Sequence, residues 1–201
     1  GEEAAAAANG QEPGDIKVQD VDGNGVITTD DRIIYSQRPD VTFGFNNTFN
    51  YKGFDLSVFL YARLGQWIAY DYNTTYRINA LENGGNVDYW TPENPTNAFP
   101  RPNKSKSYTQ VTYYSTLKYE DGSFFKIRDI TLGYTFKPEL LKHLNLSRLR
   151  VYATAKNFFT FSKIDNYDPE QGGSISFPMT KQLVFGLNVE SVSYTHLRAH
   201  E

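Results

Sequence analysis

Val41-Thr-Phe43-Gly-Phe45-Asn-Asn47-Thr-Phe49-Asn-Tyr51 places apolar side chains on odd positions and small or polar ones on even positions, with Asn47 the only break. Successive side chains leave a strand on opposite sides, so a repeat of two residues marks a strand with one greasy face. Lys52-Gly53 follows as a two-residue turn, and Phe54, Leu56, Val58, Leu60 and Ala62 carry the apolar face back along a second strand. Tyr51 and Phe54 flank the turn as an aromatic pair. The sequence thus predicts an antiparallel hairpin over residues 41–65. Strands of about 10 residues are long for a soluble sheet and match what a tilted strand needs to cross a bilayer. Two covers for the apolar face stay open here: lipid, or a second sheet packed on the first as in a soluble β-sandwich.

Composition narrows the choice. The chain has 15 Tyr and 14 Phe against 2 Trp and 1 Met, a β-leaning aromatic set. Its mean hydropathy is low, and no apolar run approaches the roughly 20 residues of a spanning helix. A membrane barrel passes that test, because only every second residue of each strand faces lipid. The net charge of −3 offers no basic face for phosphates, which sets nucleic acid aside. Cysteine is absent, so disulfides and thiolate metal sites are excluded. An exported protein that opens on Gly1 without an export signal is expected to be a fragment.

Working outward, residues 1–14 read as a loop entering from upstream sequence, with an alanine run from Ala4 to Ala8, and 15–40 as an extracellular-type loop. Residues 41–190 read as barrel wall. Within them Phe124–Phe136 alternates, with Ile130, Leu132, Tyr134 and Phe136 on one face. Leu149–Phe161 is another strand, and Thr180–Glu190 is the last, with Leu183, Phe185, Leu187 and Val189 aligned. A sixth strand is expected in 65–76 or 111–119. Lys137-Pro138-Glu-Leu-Leu-Lys-His-Leu predicts a helical turn with proline near its start. Tyr70–Ser107 and Asp165–Phe177 are rich in polar and turn residues and predict long loops. Residues 191–201 break the alternation, resemble translated sequencing-adapter DNA and are expected to be non-native.

One stretch carries metal chemistry. Asp20-Val-Asp22-Gly23-Asn24-Gly25-Val26-Ile27-Thr28-Thr29-Asp30-Asp31 places oxygens at loop positions 1, 3 and 5, glycine at 6 and an acid at 12, the spacing of an EF-hand-like Ca²⁺ loop. The ligand set would be Asp20, Asp22, Asn24, the Val26 carbonyl, Thr28 and Asp31, with Ile27 facing the core. Asp31 stands where glutamate is usual, a shorter arm. The alternative is a turn in which Asp and Asn side chains cap backbone N–H groups. No organic cofactor is implied.

Catalytic signals are missing. The histidines are His143, His196 and His200, none beside a nucleophile, and no GxSxG, HExxH or phosphate loop occurs. Asp121, Asp129, Asp165, Asp168 and Glu170 read as loop solvation rather than a glycosidase pair. The loop aromatics Tyr70, Tyr72, Tyr76, Tyr89 and Trp90 are candidates for stacking on substrate, with loop packing as the plainer role.

An ordered series of blocks carries a resemblance. Pro13-Gly-Asp-Ile-Lys17, Asp20-Val-Asp-Gly-Asn-Gly-Val-Ile27, Phe43-Gly-Phe-Asn-Asn-Thr-Phe49, Tyr51-Lys-Gly-Phe-Asp-Leu-Ser-Val-Phe59, Trp90-Thr-Pro-Glu-Asn-Pro95, Glu120-Asp-Gly-Ser-Phe124, Arg128-Asp-Ile-Thr-Leu-Gly-Tyr134, Leu149-Arg-Val-Tyr152, Ala155-Lys-Asn-Phe158 and Tyr167-Asp-Pro-Glu170 cover about residues 13–190. In order and spacing they resemble the C-terminal barrel region of the SusC/RagA family. The resemblance implies an all-β, antiparallel piece of a large transmembrane outer-membrane barrel of about 22 strands around a plug. It also implies energy from TonB through the missing N-terminal region, contact with outer-membrane lipid, and a SusD-like surface lipoprotein that captures glycans or peptides. The competing class is a secreted, Ca²⁺-stabilised β-sandwich that binds carbohydrate. A membrane hairpin leaves the apolar positions of 41–62 uncovered; a sandwich buries them.

Overall fold

A computed structural model of the chain describes residues 12–70, 88–101 and 115–191. Among the described residues seven strands follow in chain order: β1 (Val41–Tyr51), β2 (Phe54–Leu64), β3 (Trp67–Ala69), β4 (Tyr119–Asp121), β5 (Phe124–Thr135), β6 (Leu146–Ser162) and β7 (Gln182–Ser191). The chain divides into two compact units, one holding the long sheet and the other β3, β4 and the loops.

The first is a five-stranded antiparallel sheet in the order β1-β2-β5-β6-β7. β1 and β2 stay in step from Val41↔Leu64 to Tyr51↔Phe54. Their turn works because Lys52 and Gly53 both take left-handed backbone, at φ 47° and 89°, which gives the twist that continues into paired strands. The Thr135 N–H donates to the Gly53 carbonyl at 2.7 Å and ties the turn to the end of β5.

Register sorts the side chains onto two faces. Phe49, Leu56, Leu132, Ala153 and Phe185 line up across all five strands, and the adjacent row reads Asn50, Asp55, Gly133, Tyr152 and Gly186. The row stands largely open, with Phe49 61% exposed, Leu132 51% and Phe185 78% and with Leu56 and Ala153 half-buried; on the hairpin Phe43, Phe45 and Phe54 are likewise exposed, and Ala62 is buried. A sandwich core would bury these side chains, so the sheet-on-sheet alternative does not describe this hairpin. On the other face the Thr131 and Thr154 hydroxyls share a hydrogen bond at 2.8 Å, and Asp55 pairs with Arg150.

Simple alternation fails at one place on β5. Counting back from Leu132 and Ile130 puts Arg128 on the apolar face, yet the register skips it: Asp129 pairs with Phe59, and Ile127 with Leu60. This bulge hands the apolar phase to Ile127 and Phe125 and turns Arg128 toward the Tyr61 ring on the polar face, 5.3 Å from its centroid. Asn157, with φ 58°, takes up the matching irregularity on β6.

The second unit pairs β3 with β4. These three-residue strands overlap both stretches in which a sixth strand was expected. Its core gathers Ile68, Tyr70 and Ile164, with Tyr167 packed against them. Tyr35 lies on Trp67 and Tyr119, with ring centroids 4.5 and 5.4 Å away. The buried Gln66 amide donates to the Gly122 carbonyl at 2.7 Å.

Elsewhere the sequence boundaries move slightly. β6 begins at Leu146 rather than Leu149, and the helical turn after Lys137 spans Pro138–Leu141. β7 begins at Gln182, two residues later than expected, and Ser191 still belongs to it, paired with Leu146. The expected non-native tail otherwise lies outside the described residues, as do residues 1–11.

Candidate functional site

The loop from Asp15 to Tyr35 brings the chemistry of the second unit together. The Asp20 carboxylate accepts the Gly23 and Gly25 N–H groups, each at 2.7 Å. The Asp22 oxygens accept the Asn24 N–H at 3.0 Å and its side-chain Nδ2 at 2.8 Å. Asp31 accepts from Val21, ten residues before it, and from Thr28, both at 2.7 Å. These two backbone bonds, Thr28 first, hold the Asp31 carboxyl below the ordinary carboxylate range. Thr28 in turn accepts the Asp30 N–H at 3.1 Å and caps the 3₁₀ turn Thr29–Asp31.

The loop thereby closes on itself, and three carboxylates converge. One oxygen each from Asp20, Asp22 and Asp31 lie within 4.8 Å of one another. Oxygens on opposite sides of a Ca²⁺ ion, at 2.3–2.6 Å each, stand about 5 Å apart, so the spacing suits an ion of that size. Asn24 Oδ1 accepts the Val26 N–H at 2.7 Å. The capping that the turn alternative requires is therefore present, and it leaves a second lone pair on each carboxylate oxygen. Ile27, expected to face the core, is 43% exposed.

Beside this loop lies a cavity of about 1090 Å³, walled by Val21, Ile27, Ile33, Trp90, Phe99 and Tyr119 among others. The Trp90 backbone N–H donates to the Phe99 carbonyl at 3.1 Å. The indole lies so close to Gly14 that a side chain there would collide with it. Asp88 braces the segment, accepting from Asn94 Nδ2 at 2.8 Å and from the Thr96 hydroxyl at 2.7 Å. Arg101 binds back to Asp15 at 2.8 Å and to Glu12.

The five loop aromatics separate on this frame. Trp90 lines the cavity, and Tyr89 stands 44% exposed beside it in sequence. Tyr70 is 2% exposed, a core side chain at the end of β3. Tyr72 and Tyr76 lie outside the described residues. Tyr35, whose place no spacing in the sequence signals, lines the same cavity with its ring stacked on Tyr119 and tilted against Trp67. His143 sits exposed in a 3₁₀ turn, Lys142–Leu144.

A sheet with a largely uncovered apolar face and a polar face packed along its central strands fits the wall of an outer-membrane β-barrel; no helix among the described residues is long and apolar enough to cross a membrane. Comparison with known proteins agrees, although no protein-family profile matches the chain. Two TonB-dependent receptors of Formosa agariphila are 33% identical over 177 residues and 30% over 208 residues, covering 84% and 93% of this chain. SusC of Bacteroides thetaiotaomicron is 31% identical over 180 residues, or 85% of the chain. The solved RagAB peptide transporter superposes with a TM-score of 0.61 at 27% identity over 79% of this chain and 18% of that one. RagAB in its closed-closed state gives 0.63 at 27% over 85% and 20%. The chain belongs to the SusC/RagA family of TonB-dependent receptors. It spans 17–20% of the length of these curated relatives, which are receptors and transporters rather than enzymes.

Proposed function

We propose that the chain supplies wall strands and loops to a TonB-dependent outer-membrane importer that takes up glycans, oligosaccharides or peptides and works with a SusD-like surface lipoprotein. The observation that carries this is the apolar row Phe49, Leu56, Leu132, Ala153 and Phe185, in which Phe49, Leu132 and Phe185 stand exposed, backed by a polar face fit to line a lumen. Similarity to SusC and to the RagAB peptide importer supports the reading. Deleting the full-length gene should abolish growth on one class of glycan or peptide. The full-length receptor should also co-purify with a surface lipoprotein from the outer membrane. Unchanged growth on every glycan and peptide, together with absence from that membrane, would end the reading.

In the same importer the loop Asp20–Asp31 binds Ca²⁺ and serves to stiffen a loop rather than to react. Three carboxylates within 4.8 Å repel one another, and hard oxygen donors at that spacing suit calcium. Calcium titration of the full-length receptor should show one site that Asp20→Asn with Asp31→Asn removes. No binding at millimolar calcium would leave only the capped turn.

A further inference from the structure

The polar face of the sheet carries a cation, Arg63, that no described carboxylate neutralises. Arg63, near the loop end of β2, is half-buried. Its guanidinium lies 5.5 Å from the Tyr61 ring centroid and 6.0 Å from that of Phe124, and its Nε donates to the Tyr61 hydroxyl at 2.8 Å. Among the described residues no carboxylate pairs with it. Two further cations gather on the same rings: Arg128, turned inward by the bulge, on Tyr61, and Lys126 at 5.6 Å over Phe124. Arg63 and Arg128 thus sit within about 11 Å of each other, the sum of their distances to one ring, close enough to repel across a partly dry surface.

Ring faces offset only part of that cost, and half-buried charge is ordinarily met by an opposite one. The aromatic contacts fix the guanidinium plane while leaving its Nη groups, the pair that grips a carboxylate, unengaged by any described residue. On the flank toward β1 stand Thr42, opposite Arg63, and Gly44, opposite Tyr61, so small groups leave that approach open.

We propose that Arg63, held by Tyr61 and Phe124, is a binding point for a carboxylate on the solute that passes the polar face. This rests on reading that face as the lumen of an importer. The carboxylate could belong to a uronic-acid glycan or to an acidic peptide, and the test separates them.

The full-length receptor in detergent is titrated with hexagalacturonate and hexaglutamate, and with maltohexaose as a neutral control. One acidic probe should bind more tightly than maltohexaose. Arg63→Gln should weaken that binding by about tenfold or more, the loss of one charge-assisted contact, while Arg63→Lys keeps part of it. Heat-modifiable migration of each variant reports an intact barrel; should Arg63→Gln lose it, the partial loss in Arg63→Lys carries the test. No binding of either acidic probe overturns the proposal, as does equal binding of acidic and neutral probes. So does an intact Arg63→Gln receptor within about twofold of wild type. The importer reading fails separately, by unchanged uptake of all solutes in a strain lacking the receptor.

Discussion

Asp55 on β2 and Arg150 on β6 meet across the strand that separates them, with Arg150 Nε at 2.9 Å and Nη2 at 2.5 Å from the two carboxylate oxygens. They can do so because residue 133 of β5, beneath the bridge, is glycine: a Cβ there would stand 2.5 Å from both Arg150 Nη2 and Asp55 Oδ1. Arg150 also lies 4.9 Å from the Tyr152 ring, and Tyr152 in turn lies over Gly186. Two side-chain-free positions let long polar groups lie flat along the inner wall.

Gly133→Ala should therefore displace the ion pair rather than the backbone, since the crowded atoms are ends of flexible side chains. We expect a cost of about 1–3 kcal/mol in barrel stability. The same substitution in an Asp55→Ala, Arg150→Ala background should cost much less, a coupling of about 0.5–3 kcal/mol. Equilibrium unfolding of the full-length receptor in lipid measures it, and additive effects would show that Gly133 serves another contact.

The two faces of β1 predict opposite responses to one substitution. Phe45→Arg places a charge on the bare apolar face, 48% exposed, and should cost about 2–4 kcal/mol if it lies near the bilayer midplane. Asn46→Arg, one residue away on the polar face, should fold almost as wild type. Insertion into lipid vesicles, followed by the shift in gel migration, compares the two.

The hairpin turn should tolerate change at one position and resist it at the next. At Gly53, φ 89° and a Thr135 carbonyl 2.8 Å from where a Cβ would be make Gly53→Ala destabilising by about 1–2 kcal/mol. Lys52→Asn keeps a residue that accepts left-handed backbone and should be neutral or slightly stabilising. Refolding yield into vesicles is the readout; equal losses for both would contradict the turn geometry.

Acid should loosen the Asp20–Asp31 loop. The folded-state pKa of Asp31 is depressed, so its contribution is present above the unfolded value near 4 and is lost as pH falls through the lower folded value. Amide exchange at Val21 and Thr28, the two donors to Asp31, should speed up relative to neighbouring amides over that range. In Asp31→Asn the acid-induced change at these two amides should vanish.

The hairpin was legible because apolar residues recur at every second position of Val41–Tyr51, broken only at Asn47, and again at Phe54, Leu56, Val58, Leu60 and Ala62, and two left-handed turn residues leave only one register. The closing of the Asp20–Asp31 loop around its carboxylates was legible from spacing, since its oxygens recur at positions that a tight loop must turn inward. The bulge at Arg128 was not, although an arginine in the phase of Ile130 and Leu132 was its trace. Tyr70 reads like its loop neighbours and is core only because β4, far along the chain, pairs with β3 just before it. The stacking of Arg63 was hidden for the same reason, as Phe124 reaches it through strand pairing.

The two-residue turn at Lys52-Gly53 has a consequence for how such a chain can change over generations. A single codon inserted between Tyr51 and Phe54 would shift β2 by one place against β1 and β5, presenting Asp55, Ser57 and Arg63 where Leu56, Val58 and Leu64 now stand. The connections after Leu64 and after Ser162 tie no such frame, because the strands they join are set by their own pairing. Length variation among descendants should collect in those connections, while the turn keeps its two residues.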